Sequence, residues 1–403
     1  MASESTVDLP SFAFSRAERE RRYGRVRALM AERGYDALLV PCNTGHNEVH
    51  MADVRYLVPA GGFGCEASVF FPREGEPTCW ARSDSQPAEW FRANQDWVAD
   101  VRPSDCTWSE NFATSIRERD LAGGSFGVVG VGPTLRCPDG TVLYRTLARL
   151  REWFPTARFD DATEAMVDLR RVKSGEELAA LERATEIAER AMLAARDVAG
   201  PDVGEQRVYA ELVAEMVRQG AELPTLVLWG AGPAPLTMTR VPAARRLARG
   251  DVIYSEVEAR YAGYIAQVRR PLFVGRPSAE WAALHALAVE AFERMCAPMR
   301  AGALLGDAVE ALTSFAAAHG HRSVRAPMHA RGLGEDRPHV SMQRLRPELL
   351  AQRLEAGQVF VVGPNLETPD GRRRLAWGDS VVVTTDGVRR LGKLSAEPLV
   401  AAG

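Results

Sequence analysis

The stretch Gly250–Pro271, GDVIYSEVEARYAGYIAQVRRP, constrains the fold more than any other part of the chain. Two runs rich in β-branched and aromatic residues flank a break near Tyr261-Ala262, the pattern of a β-hairpin. Strand alternation puts Glu256 on the same face as Tyr254 and Glu258, opposite to Ile253, Ser255 and Val257. A turn at that break brings Gln267 back roughly opposite Glu256 across the ladder. The hairpin therefore carries a carboxylate and an amide on one face of an otherwise buried segment, and is expected to floor the functional pocket.

The rest of the chain is too long for one ordinary core: 403 residues favour two domains, placed at 1–165 and 166–403. A formal charge of -3 offers no pull toward a polyanion, which argues against a nucleic-acid partner. Positive charge is carried almost wholly by Arg, with Lys173 and Lys393 the only lysines, a compositional bias more than a functional sign. Cys42, Cys65, Cys79, Cys106, Cys137 and Cys296 lack CxxC or His-paired spacing, so they read as buried thiols and not as a zinc or disulfide framework. The first residues lack the pattern of a signal peptide and no apolar run spans a bilayer, so the expectation is a cytoplasmic protein with no membrane partner.

In chain order, Ser15 and Glu18 have capping-box spacing before an amphipathic run to Glu32. Strand signals follow at 36–40, 67–71, 78–81 and 126–131, with helical patterns at 87–94 and 141–153, an alternation that implies an α/β layer domain. His46 and His50 lie i, i+4 in the polar loop between the first two strands. Without a carboxylate or Cys to complete a set, a solvated loop or a partner contact is the better reading than a metal pair. Ser174 and Glu177 form a second capping box ahead of a helix to Val198, stopped by Gly200-Pro201. Further helices are predicted at 205–218, 279–299 and 306–319, and strands at 226–229, 359–362 and 380–384.

Several pieces in order carry a resemblance: RRVKSGEELAALERATEIAERA, PAARRLARGD leading into the hairpin, YAGYIAQVRRPLFVG in its return, RGLG at Arg331–Gly334, GQVFVVGPN, and GDSVVVTTDG. Over nearly its whole length the chain resembles the creatinase/aminopeptidase P/prolidase group, the pita-bread enzymes. The resemblance implies an α/β N-terminal domain and an α+β pita-bread C-terminal domain with a curved antiparallel sheet. It also implies a homodimer in which the N-terminal domain, through the 43–50 loop, covers the partner's pocket.

Peptidases of this group hold two metal ions with two Asp, one His and two Glu, because hard cations need anionic oxygens. Counted along the shared motifs, those positions carry Glu256, Gln267, Arg331 (or His329 if the register slips), Gly363 and Gly378. A metal-dependent Xaa-Pro peptidase is thus the least favoured reading, and no metal or other cofactor is expected. The chain is closer to the metal-free members, yet creatinase itself is not matched: its catalytic His position is Thr239 and the Glu of its return strand is Arg269. The ectoine-hydrolase pattern, a Glu on the first hairpin strand and an Arg before the next segment, fits Glu256 and Arg270 better.

The expected site has Glu256 as nucleophile or general base, His329 as acid/base and Gln267 as orienter, with Arg331, His339, Asn365 and Arg270 binding a small-molecule substrate. The plainer alternatives stay open. Glu256 could pair with Arg240 or Arg269 for structure alone, and residues 328–339 could be an exposed charged loop. The implied reaction is hydrolysis of a C–N bond in an amide, amidine or guanidino compound. A lyase or cyclase on the same scaffold, and an inactive pita-bread binding protein, are compatible with the same residues.

Overall fold

The computed structural model describes residues 14–42, 51–61, 65–82, 87–135, 137–224, 226–239, 241–334 and 336–401. The 43–50 loop with His46 and His50, and Arg240, lie outside the described residues. The chain divides into two compact units: Met1–Arg170 with Leu333–Glu335, and Arg171–Gly332 with Asp336–Gly403.

The first unit is a six-stranded mixed sheet in the order Asp100–Ser104, Thr78–Arg82, Ala67–Pro72, Ala37–Val40, Ser125–Val128, Arg158–Asp161. The Ala37–Val40 strand runs antiparallel to Ala67–Pro72 and parallel to Ser125–Val128, so it is covered on both edges and is apolar at every position. Its leading helix, Arg16–Arg33, is capped by Ser15, which accepts from Glu18 N at 3.1 Å. The reciprocal half expected of Glu18 is not made. Its carboxylate instead takes Arg21 (2.8 Å) and the buried Arg22 (2.7 Å), because two guanidiniums one turn away are stronger donors than a backbone N–H.

In the second unit the predicted capping box is present in both halves: Ser174 accepts from Glu177 N, and Glu177 accepts from Ser174 N at 2.8 Å. The helix Gly175–Val198 packs with Glu205–Arg218 over a sheet ordered Leu399–Ala401, Leu272–Val274, Val252–Tyr261, Val227–Gly232. The helices Ala279–Cys296 and Leu305–Ala318 cover a second sheet, ordered His339–Val340, Met328–Ala330, Val359–Val362, Asp379–Val383, Val388–Arg390. A three-stranded sheet of Arg322–Val324, Asn365–Glu367 and Arg374–Ala376 completes the unit.

The hairpin joins these parts. Its outgoing strand Val252–Tyr261 pairs with Tyr264–Val268 around the two-residue turn Ala262-Gly263. Both turn residues are left-handed (φ 49° and 83°), the conformation that matches hairpin twist and that glycine adopts without penalty. The return strand then continues into the second sheet: Gln267 N donates to Ser380 Oγ at 3.1 Å, and Arg269 and Gly378 exchange backbone hydrogen bonds at 3.1 and 3.0 Å. Among the described residues no helix is long and apolar enough to cross a membrane. Of the cysteines, all free, Cys42, Cys79 and Cys296 are buried, while Cys65, Cys106 and Cys137 are only half-buried, contrary to the expectation of six buried thiols.

Candidate functional site

The hairpin register places Gln267 across from Glu258 and not from Glu256, two residues off the expected pairing. Glu256 is diagonal to Gln267, and the two still meet: Gln267 Nε2 donates to Glu256 Oε2 at 3.3 Å. Arg269 lies two residues beyond Gln267 and so shares its face. Its Nη2 sits 3.0 Å from Glu256 Oε1, and the same guanidinium donates through Nη1 to the carbonyls of Gly363 and Ala326. Glu256 is thus held from two sides, with its side chain still 12% exposed.

Gly363 is where the Arg269 side chain crosses the neighbouring strand. A Cβ there would stand 2.6 Å from Arg269 Cδ and 3.0 Å from its Nε. Gly378 is packed still harder, since a Cβ there would meet the Val362 carbonyl and Gly363 Cα, which are backbone atoms and cannot swing aside.

Arg331 does not stand open to a substrate anion as expected. Its Nε donates to Glu258 Oε1 at 3.0 Å, Nη2 reaches the same oxygen, and both side chains are buried. Arg270, the other arginine expected to bind substrate, is also spent inside the protein: it pairs with Asp379 (2.8 Å) and Glu189 (3.4 Å) and lies over Trp377 at 4.3 Å. The alternation that turns Arg269 toward Glu256 turns Arg270 away from it.

His329 lies opposite both His339 and Val361 in its sheet, and its ring stacks on that of His339 with centroids 5.9 Å apart. Burial above all, then Arg331, Arg269 and His339, hold its imidazole well below the ordinary histidine pKa, so it is neutral at pH 7 and disfavoured as a proton acceptor, against the acid/base role expected of it. Asn365 is buried, and its Oδ1 accepts from the Tyr254 hydroxyl. Burial pushes Tyr254 up to about 12, keeping it a phenol that donates. Arg325 follows Val324, the partner of Asn365, in a left-handed conformation (φ 63°), and its charge acts on Tyr254 together with those of Arg269 and Glu256.

Four buried polar atoms in this group have no hydrogen-bond partner among the described residues: Arg269 Nε, Gln267 Oε1, Asn365 Nδ2 and His329 Nδ1. Buried polar atoms are usually paired, and these four are the open hydrogen-bonding capacity of the group. The structure therefore brings Glu256, Gln267, Asn365, His329 and His339 into one unit and withdraws Arg270 and Arg331 into internal ion pairs. Sequence reasoning passed over Tyr254, Arg269 and Arg325 as functional groups; for Arg269 the signal was its two-residue spacing from Gln267. Among the described residues no group of three or more His, Cys, Asp or Glu side chains converges as a metal site would.

Comparison with known proteins identifies the scaffold. The chain is 27% identical over 370 residues to the uncharacterized peptidase YqhT of Bacillus subtilis, covering 91% of this chain and 96% of the relative. It is 25% identical over 266 residues to the Xaa-Pro dipeptidase of Pyrococcus furiosus, covering 65% and 74%. Among solved structures it is similar to the X-Pro aminopeptidase from Thermotoga maritima, with TM-score 0.77 and 21% identity over 94% of this chain and 99% of that one, a likeness that shows the pita-bread fold. Residues 179–385, just over half of the sequence, match metallopeptidase family M24, and the chain belongs to that family.

Proposed function

We propose that the chain is a hydrolase that cleaves a C–N bond in a small amino-acid-like substrate with protein side chains and without a catalytic metal ion. The observation that carries this reading is the Glu256 carboxylate, held by Gln267 and Arg269, partly open, and set among unpartnered polar atoms. Glu256 takes a proton from water, the hydroxide adds to the acyl or amidine carbon, and the proton passes to the departing nitrogen as the C–N bond breaks. Arg325, whose guanidinium donates among the described residues to the Leu236 carbonyl at 3.4 Å, is available for the substrate's carboxylate.

The donor set supports a metal-free reading. Two divalent ions need several anionic oxygens. Both carboxylates on this face, Glu256 and Glu258, are engaged by arginines, Gln267 is a neutral amide, and Gly363 and Gly378 supply no side chain. The residues present do not fit a two-metal centre.

The Xaa-Pro dipeptidase relatives favour a second reading, a metal-dependent cleavage of dipeptides ending in proline. One experiment separates the two. Purified protein, stripped with chelator or supplied with Mn2+, Co2+ or Zn2+, is offered Xaa-Pro dipeptides and a panel of amides, ureides, amidines and guanidino compounds with mass-spectrometric readout. Turnover of a panel compound by stripped protein, abolished in Glu256→Gln, is the expected result. Dipeptide cleavage that requires added metal overturns it.

A further inference from the structure

The Arg269 side chain is the most telling departure from what a metallopeptidase site requires. It crosses Gly363 so closely that a Cβ there would stand 2.6 Å from its Cδ, and its Nη1 donates to the carbonyl of that same glycine. Any side chain at position 363 that reached toward Glu256 would occupy the space of the guanidinium. The glycine and the arginine are therefore one feature: removing the side chain at 363 makes room for a fixed cation beside Glu256.

That cation is not fully used. Nη1 and Nη2 are engaged by Gly363, Ala326 and Glu256, but Nε, buried, has no partner among the described residues. Asn365, two residues beyond Gly363, is fixed through Oδ1 by Tyr254 and has its Nδ2 unpartnered. Gln267, two residues before Arg269, is fixed through Nε2 by Glu256 and has its Oε1 unpartnered. The carboxylate that anchors Gln267 only accepts, which sets its open atom as oxygen; with Asn365 Nδ2 and Arg269 Nε the open atoms are two donors and one acceptor. The Glu256–Arg269 pair is balanced in charge, so the group that meets these atoms is neutral. A neutral group that accepts twice at oxygen and donates once from an adjacent nitrogen is a carboxamide, lactam or cyclic urea.

We propose that Arg269 is the resident cation of the site in place of metal ions, and that its Nε–H and the Asn365 amide hold the carbonyl oxygen of a neutral amide or cyclic urea while Gln267 Oε1 accepts its N–H. This deepens the hydrolase reading by naming the bond-bearing group, and it makes Arg269 a catalytic residue that polarises the carbonyl as charge develops on oxygen.

The test is binding to the full chain, separate from turnover. Pyrrolidinone, a lactam, and imidazolidinone, a cyclic urea, are titrated by saturation-transfer NMR against cyclopentanone, which has the carbonyl but no N–H. Both nitrogen rings are expected to bind wild type, cyclopentanone about tenfold more weakly. Arg269→Lys keeps a cation beside Glu256 but loses the planar Nε–H, and is expected to weaken the nitrogen rings about tenfold with its melting temperature little changed. Gln267→Met is expected to abolish the preference for the nitrogen rings over cyclopentanone. In parallel, equilibrium dialysis against Mn2+ and Co2+ is expected to find no stoichiometric ion. The proposal is overturned if neither ring binds wild type, if Arg269→Lys binds them unchanged, or if wild type takes up ions that Glu256→Gln releases. Binding that depends on Arg269 without turnover of any amide would sink the hydrolase reading alone, whereas amide turnover untouched in Arg269→Lys would sink this inference alone.

Discussion

Arg331 donates to Glu258 through both Nε, at 3.0 Å, and Nη2, with the two side chains only 4% and 2% exposed. A pair buried this deeply is costly to break, because the survivor is a buried charge that has lost a directly bonded partner. Arg331→Met is expected to lower unfolding stability by about 3–5 kcal/mol in urea titration. The double variant Arg331→Met with Glu258→Leu should recover most of that loss. Equal loss in single and double variants would show that Arg331 contributes by packing and not by charge.

Gly378 makes a sharper steric prediction than Gly363. A Cβ at Gly378 would meet the Val362 carbonyl and Gly363 Cα. The residue also exchanges both backbone hydrogen bonds with Arg269, so it cannot retreat. Gly378→Ala is expected to destabilise by about 1–3 kcal/mol, as overpacking does, and to disturb Arg269 as well. Gly363→Ala meets first the Cδ and Nε of the Arg269 side chain and not a backbone atom, and is expected to cost less stability while perturbing ligand binding more. Thermal melts of the two variants, with ring titrations beside them, check the order.

Two buried histidines contribute to the acid side of the stability curve. His285, near Phe273 and Arg270, is pushed down to about 4, by burial first and then by Arg270; His329 is lowered as well. Both folded-state values lie below the unfolded value near 6.5, so between them the unfolded chain binds more protons. Their contribution is therefore fully present above pH ~6.5 and declines as pH falls; for His285 the decline continues to about 4 and totals roughly 3 kcal/mol. Urea midpoints from pH 7 to pH 4 should fall, and His285→Gln should flatten the fall. An unchanged slope would mean that His285 is not the group being titrated.

Elements with strong local signals were legible from residues alone. The Ser174–Glu177 capping box, the 205–218 helix and the 359–362 strand stand where spacing and apolar runs put them. The turn at Ala262-Gly263 differs by one residue from the break read at Tyr261-Ala262, and that shift moves Gln267 from Glu256 to Glu258. Moving the turn by one residue shifts the pairing by two, and a two-residue shift is invisible to alternation because every side chain keeps its face. The strands Arg322–Val324 and Arg374–Ala376 were not legible, because three-residue elements carry too short a pattern to read. The fates of Arg270 and Arg331 were hidden for another reason: their partners Asp379, Glu189 and Glu258 are supplied by distant segments or by a register unknown beforehand.

Tyr254 offers the last test, since its hydroxyl meets the site through Asn365. Its hydroxyl donates to Asn365 Oδ1, which fixes the amide with Nδ2 outward, and burial keeps the phenol protonated up to about 12. Tyr254→Phe preserves the ring and its packing but leaves Oδ1 without a donor in a buried position, at a cost of about 1–2 kcal/mol in stability. The freed amide can then turn, presenting oxygen where the ligand's oxygen would lie. Binding of pyrrolidinone is expected to weaken about tenfold, equivalent to about 1.4 kcal/mol, across the range pH 6 to 9, because neither partner titrates there. The split between the two readouts decides the role. A stability loss with unchanged ring binding would make Tyr254–Asn365 a structural contact, while weakened binding that Asn365→Asp does not reproduce would place the effect on the phenol itself.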